Sequence, residues 1–369
     1  MSIHFYKLPI KEIRQETPDC ISVLFDVPDE LKEAFKFNQG QSLTMRTTLN
    51  DEEVRRTYSI CSSPIDKEWR VAIKKVEGGV FSTFANQQLK TGDILEVMQP
   101  VGKFYTRLDP SQKKNYLAFA AGSGITPVMS IINTTLRTEP QSQFTLVFGN
   151  RNKNSIIFKE DLEALKDKYL DRFRVYYILS RERTEIPLNT GRIDVNKLVE
   201  LNRLIDYNKI DEFFICGPEE MIFSVKEYLE QKDVDRRIIH FELFTTPGEN
   251  SRTTGSSGQF AIGNKQSGTD KNVEAKSKVS IKMDGIMFDF DLSYEGQSIL
   301  EAGLQQGADL PFACKGGVCT SCKARLLEGK VFMDVHWGLE PDEIEQGFIL
   351  TCQSHPRSER VVVDYDARH

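Results

Sequence analysis

Nowhere in its 369 residues does the chain hold an uninterrupted apolar run of 18, the length a helix needs to cross a bilayer. The opening stretch, Met1-Ser-Ile-His-Phe-Tyr-Lys-Leu-Pro9, contains no apolar h-region either. These two lacks argue against secretion and against a membrane partner, and point to the cytoplasm. There is no excess of positive charge: 48 Lys and Arg stand against 54 Asp and Glu, a formal net charge of −6. Nucleic acid is therefore not an expected partner. No internal repeat is visible. Three of the seven cysteines, Cys20, Cys61 and Cys216, are scattered, which fits a reducing compartment better than a disulfide framework. What is present is an ordinary composition, 39% hydrophobic and 28% charged, on a chain long enough for two or three domains.

The other four cysteines carry the most information. Cys314, Cys319 and Cys322 share one Gly-rich run, and Cys352 follows 30 residues later. This is C-x4-C-x2-C…C, the spacing that holds a plant-type [2Fe–2S] cluster. Gly316, Gly317, Thr320 and Ser321 are small enough to let the backbone wrap a cluster and donate N–H bonds to its sulfurs. C-x2-C is also a zinc spacing, but a zinc site normally brings a second close pair or a His partner, and neither accompanies this set. Residues 278–369 hold 15 Asp and Glu against 9 Lys and Arg. Such an acidic module suits steering onto a basic patch of a partner; simple solubility is the other reading.

Composition along the chain divides it into four segments. Residues 1–108 are rich in strand-like stretches, such as Ser42–Thr47, Arg56–Cys61 and Trp69–Val76, punctuated by Pro, Gly and Asp turns. They predict an antiparallel β-barrel with one helix near Ser82–Leu89. Residues 109–245 alternate apolar strands (Tyr116–Ala121, Gln143–Gly149, Phe173–Ser180, Glu212–Gly217) with helices (Pro127–Thr138, Phe158–Lys168, Pro218–Gln231). This predicts a doubly wound α/β domain with a parallel sheet. Residues 246–277 are rich in Gly, Ser, Thr, Lys and Asn and read as a flexible tether. Residues 278–369 should hold strands Val279–Met283 and Phe288–Leu292, a helix Ser298–Gln306, the cysteine loop and two later strands.

Several motifs could hold cofactors. In Arg56-Thr57-Tyr58-Ser59 the Arg can pair with a pyrophosphate, the Tyr can stack on a flavin, and Ser59 can hydrogen-bond its N5. A core Tyr beside a surface Arg is the plain alternative. Lys74, followed by Gly78-Gly79-Val80-Phe81-Ser82, offers a Gly turn into a helix N-terminus with a hydroxyl cap, a site for the same pyrophosphate or simply a capped helix. Gly122-Ser123-Gly124-Ile125-Thr126-Pro127 joins an apolar strand to a helix, as a dinucleotide phosphate site does. Pro127 stands where the G-x-G-x-x-G fingerprint has its third glycine, so the turn is not the ordinary Rossmann one. Cys216-Gly217-Pro218 ends another strand, where ligands sit in open α/β sheets. A lone buried Cys216 near a turn is the rival reading.

Taken together, Arg56–Ser59, Gly78–Ser82, Gly122–Pro127 and Cys216–Pro218, ending in a plant-type cysteine loop, resemble the ferredoxin–NADP reductase superfamily. Within it the chain is similar to the reductases of multicomponent oxygenases whose ferredoxin module is C-terminal. It looks closest to the reductase subunits of phenylacetyl-CoA epoxidases, through Gly122–Pro127, Thr138–Arg151, Gly191-Arg-Ile-Asp194 and Gly307–Cys319. The resemblance implies a β-grasp-like α+β ferredoxin domain, with FAD held by Arg56, Tyr58, Ser59, Lys74 and Ser82. It implies a nicotinamide dinucleotide cradled by Gly122, Gly124 and Thr126, with Cys216 and Gly217 near the nicotinamide and Phe244 covering the flavin. Arg151 and Arg181, at strand ends, could meet a 2′-phosphate and so favour NADPH over NADH; two solvated arginines are the alternative.

The expected activity is that of an NAD(P)H-dependent flavin and iron–sulfur oxidoreductase, an electron-transfer component. The resemblance implies that it feeds single electrons to the di-iron oxygenase subunits of a phenylacetyl-CoA epoxidase in phenylacetate catabolism. A Rieske dioxygenase, another hydroxylase or a haem globin-type acceptor as client, and a non-catalytic redox-sensing subunit, remain the alternatives. No acid–base catalyst is expected, because Ser59 and Cys216 need only position the reacting atoms.

Overall fold

The computed structural model describes residues 4–244 and 276–367. They form two compact units, Phe5–Phe244 and a C-terminal one. The expected tether falls outside the described residues, except that Lys276 and Ser277 already pair within the first C-terminal strand.

The first unit opens with strands β1 (Phe5–Thr17), β2 (Cys20–Phe25), β3 (Ser42–Leu49), β4 (Glu52–Ser59) and β5 (Trp69–Lys74), helix α1 (Val80–Gln87) and strand β6 (Ile94–Met98). The six strands pair antiparallel in the order β4-β3-β6-β1-β2-β5. A bridge between Ile60 and Val71 joins the two edges, so the sheet closes into a barrel. Alternate side chains, among them Leu8, Ile10, Val23, Phe25, Leu43, Met45, Val71, Ile73 and Val97, fill its interior. Each such side chain contributes about 1.5–3 kcal/mol of burial.

The chain continues through β7 (Asn115–Ala121), α2 (Ile125–Thr138), β8 (Gln143–Asn150), α3 (Lys159–Lys168), β9 (Phe173–Leu179), α4 (Val195–Leu201), β10 (Glu212–Gly217), α5 (Glu219–Glu230) and β11 (Ile239–Leu243). The strands lie parallel in the order β11-β10-β7-β8-β9. Strand order therefore reverses between β7 and β10, the switch point at which such sheets bind ligands. The sheet has five strands where the apolar pattern of the sequence shows four; His240 and Glu242 interrupt that pattern in β11. Helix α4 leaves no clear sequence signal either, because Val195 and Val199 face solvent.

Barrel and sheet domain are joined by Ser63 Oγ to Thr134 Oγ1 at 2.8 Å, Ser130 Oγ donating to the Ser62 carbonyl at 2.6 Å, and an Arg137–Asp66 ion pair.

The second unit contains β12 (Lys276–Met283), β13 (Ile286–Ser293), α6 (Ile299–Gln305), β14 (Lys323–Glu328), β15 (Val331–Met333), α7 (Pro341–Glu345), β16 (Phe348–Leu350), β17 (Ser354–Pro356) and β18 (Arg360–Asp364). A mixed five-stranded sheet, β13-β12-β18-β14-β16, packs against α6 in the β-grasp manner, and β15 pairs with β17 beside it. Five strands follow the cysteine loop rather than the two expected. Three of them have only three residues, too short to show a period of two. Ser298 caps α6 in a reciprocal bond with Glu301.

Candidate functional site

The switch point is built by close backbone approach. Gly122 at the end of β7 has φ +54°, in the left-handed region that glycine tolerates best. Gly124 has an ordinary φ of −60°, so its need for glycine is steric. A Cβ there would lie 2.1 Å from the Cys216 carbonyl oxygen and 2.8 Å from the Gly217 nitrogen. Gly217 in turn abuts Ala121 and Met221. The two glycine motifs, far apart in sequence, are thus one surface. Thr126 Oγ1 donates to the Ser123 carbonyl at 3.0 Å and braces the turn, and Pro127 is buried in the first turn of α2. Pro218 precedes α5 as its N-cap.

The barrel supplies the facing wall. Ser59, the last residue of β4, is buried, and its hydroxyl donates to Glu242 Oε2 of β11 at 3.1 Å. Glu242 is in register with Cys216 on the neighbouring strand. Burial, and secondarily the charge of Glu242, pushes the Cys216 thiol up, so it stays protonated. A neutral thiol is no nucleophile. Phe244 follows β11 and is exposed. Sequence reasoning missed Glu242; its only sequence signal is a carboxylate between two apolar neighbours, Phe241 and Leu243.

On β4, Arg56 and Tyr58 share one face and Thr57 and Ser59 the other, by strand alternation. Arg56 is half-buried, and its Nη1 donates to the Arg55 carbonyl at 2.7 Å. Thr57 Oγ1 and Thr44 Oγ1 lie 2.9 Å apart. The Tyr58 ring leans on Phe81 of α1, with centroids 5.7 Å apart, and burial pushes its hydroxyl pKa up. Helix α1 is not capped by a hydroxyl. Gly79 is its N-cap, and Ser82, inside the first turn, accepts from the Val76 N–H at 3.1 Å. The amides of Val80 and Phe81 therefore open the helix with no side chain covering them, which suits an anion. Lys74, paired with Asp19 at 3.6 Å, reaches from the end of β5 to the Gly122 turn: a Cβ on Gly122 would sit 4.0 Å from its Nζ. The donors and small residues present fit a pyrophosphate there.

Arg151 and Arg181 do not join this group. They sit beyond the ends of β8 and β9, both exposed, with the Arg181 N–H donating to the Arg151 carbonyl at 2.8 Å. They are brought together with each other, on the far side of the Gly122 turn from Cys216.

In the C-terminal unit the four thiols associate as two pairs, Cys314 with Cys319 and Cys322 with Cys352. Two thiolates for each of two irons is the demand of a [2Fe–2S] centre. Gly316 N–H donates to Cys314 Sγ at 3.3 Å. The Cys314 thiol, the backbone amides of Cys314 and Ser321 and the Ser321 hydroxyl pull the Cys319 thiol's pKa down. Gly317, with φ +72°, leaves no room for a side chain: a Cβ would lie 2.7 Å from the Val335 carbonyl. These residues fit the cluster.

Comparison with known proteins agrees with this geometry. A profile for the oxidoreductase FAD-binding domain matches residues 7–105, one for the oxidoreductase NAD-binding domain residues 119–227, and one for the 2Fe-2S iron-sulfur cluster binding domain residues 284–357. The chain is 43% identical to a component of the 1,2-phenylacetyl-CoA epoxidase of Escherichia coli (strain K12), over 99% of this chain and 98% of the relative. It is 32% identical to the ferredoxin reductase component of the 3-ketosteroid-9-alpha-monooxygenase of Rhodococcus rhodochrous, over 97% and 96%. Among solved structures, phthalate dioxygenase reductase shares the fold with a TM-score of 0.59 at 22% identity, covering 98% of both chains. No helix among the described residues is long and apolar enough to cross a membrane. The chain belongs to the ferredoxin–NADP reductase superfamily, among the FAD- and [2Fe–2S]-dependent reductase components of oxygenases.

Proposed function

We propose that this reductase takes a hydride from NADPH and delivers single electrons to the di-iron oxygenase subunits of a phenylacetyl-CoA epoxidase in the cytoplasm. The observation that carries the client is the 43% identity, over 99% of the chain, to a component of that enzyme. The chemistry supplied by bound FAD and [2Fe–2S] is the splitting of an electron pair into single electrons.

The residues orient and insulate. Arg56, Lys74, Gly79 and the opening amides of α1 at Val80, Phe81 and Ser82 hold the flavin's pyrophosphate. Thr57 stiffens β4, Tyr58 lies against the flavin, and Phe244 covers it. Gly122, Ser123, Gly124, Thr126 and Pro127 cradle the dinucleotide, while Cys216, Gly217 and Pro218 border the nicotinamide. Ser59, held by Glu242, presents its hydroxyl at flavin N5, and Ser59→Ala is expected to slow anaerobic flavin reduction about tenfold to a hundredfold in stopped flow. Cys314, Cys319, Cys322 and Cys352 hold the irons.

Arg151 and Arg181 take the 2′-phosphate of NADPH. Arg181→Ala should raise KM for NADPH about tenfold and leave that for NADH within about twofold. An equal effect on both would remove Arg181 from this role.

The client is tested by mixing the holoprotein with purified oxygenase subunits of a phenylacetyl-CoA epoxidase. NADPH-dependent oxygen uptake that requires phenylacetyl-CoA is expected. Support of a Rieske dioxygenase or another hydroxylase instead would sink the client but keep the reductase.

A further inference from the structure

A buried carboxamide stands at the ligand-binding end of the parallel sheet. Asn150 is the last residue of β8, between Gly149 and Arg151, and only 7% exposed. Neither its Nδ2 nor its Oδ1 has a hydrogen-bond partner among the described residues. Gln112, Thr135, Glu230 and Ser277 each leave one such atom, whereas Asn150 leaves both a donor and an acceptor. Each unmet buried polar atom costs about 1–3 kcal/mol, so native chains keep few of them. Asn150 has not been left so for lack of neighbours. Its backbone carbonyl accepts from the Ser180 N–H at 2.9 Å and lies 3.3 Å from the Ser180 hydroxyl.

Its place on the sheet says what could satisfy it. Ala121 pairs with Gly149, so Asn150 is level with the Gly122 turn on one side. It pairs with Leu179 on the other, one residue before Ser180-Arg181. Gly149 faces Ile193, with a Cβ there 3.2 Å from Ile193 Cδ1, so alternation turns Asn150 toward the opposite face, where Phe148 packs with Ile156 and Ile157. A dinucleotide with its pyrophosphate on the Gly122 turn and its 2′-phosphate at Arg181 must carry the adenosine ribose across the end of β8. Ribose hydroxyls both donate and accept, as a carboxamide does.

We propose that Asn150 is a binding residue for the adenosine ribose of the pyridine nucleotide, its Oδ1 accepting from one hydroxyl and its Nδ2 donating to a ribose oxygen. The inference rests on the dinucleotide orientation given under Proposed function. Because the ribose is common to both nucleotides, Asn150 serves NADPH and NADH alike, unlike Arg181.

The test is Asn150→Ala, with calorimetric titration of 2′,5′-ADP, steady-state kinetics with both nucleotides, and thermal melting without nucleotide. Expected are about tenfold weaker 2′,5′-ADP binding and about tenfold higher KM for NADPH and NADH, with kcat within about twofold. The melting point should not fall, since no protein partner is lost. Asn150→Asp, which keeps the acceptor, should recover part of the NADH affinity. A lower melting point with unchanged nucleotide affinity would make Asn150 a structural residue and overturn the proposal. If Arg181→Ala affects NADPH selectively while Asn150→Ala changes no affinity, this inference fails and the orientation stands. If neither variant changes affinity, the orientation itself fails.

Discussion

Cys319→Ser is expected to leave the protein yellow but nearly unable to reduce a one-electron protein acceptor. Several donors are aimed at Cys319: the Cys314 thiol, two backbone amides and the Ser321 hydroxyl. A serine hydroxyl in that place would have to ionise many pH units from neutrality to act as a comparable ligand, and the hard oxygen suits iron–sulfur chemistry poorly. Loss of a ligand should cost more than the roughly 10–100-fold typical of supporting residues, so reduction of an oxygenase or of cytochrome c should fall at least about a hundredfold. Nucleotide-dependent ferricyanide reduction should stay within about twofold, because Phe5–Phe244 is a compact unit of its own. Visible absorption and iron content report cluster loss directly. Persistence of protein reduction in an iron-free variant would mean that electrons leave the flavin by another path.

That the cluster unit is legible in the sequence, while parts of the hydride site are not, follows from the range of the interactions. The cysteine loop packs three cysteines within nine residues, so spacing alone exposes it. The strands Tyr116–Ala121 and Glu212–Gly217 are buried on both faces and show as apolar runs close to the observed boundaries. The bond between Ser59 and Glu242 spans 183 positions, and no local pattern ties those residues together. Strand β11 is hidden because His240 and Glu242 break the apolar signature that marks its neighbours. The expected hydroxyl cap of α1 is absent for a related reason. A serine near a helix start suggests an oxygen accepting from the helix amides, whereas the turn before the helix claims the Ser82 oxygen through the Val76 N–H. Asn150 resembles punctuation between a glycine and an arginine, and only packing reveals that its amide is buried without a partner.

Gly124→Ala should have the largest effect of any single methyl group in the nucleotide domain. The backbone at Gly124 is right-handed, so alanine meets no torsional penalty and would by helix propensity be favoured. The added Cβ, however, meets only backbone: the Cys216 carbonyl oxygen at 2.1 Å, its carbon at 2.4 Å and the Gly217 nitrogen at 2.8 Å. No side chain can swing away, so the ends of β7 and β10 must separate by roughly 1 Å at the switch point. Overpacking of this kind costs about 1–3 kcal/mol. A shift of about 1 Å at the hydride site costs on the order of a hundredfold in rate. The expected result is normal flavin and iron content, a melting point lower by several degrees, and kcat/KM for NADPH and NADH both reduced about a hundredfold. Gly122→Asn provides the contrast. Its neighbourhood is open apart from Lys74 Nζ at 4.0 Å, and Asn tolerates the left-handed backbone better than most residues, so only a modest loss is expected. If Gly124→Ala melts earlier yet keeps full efficiency with both nucleotides, the abutment of the two glycine motifs is packing alone and the nicotinamide is held elsewhere.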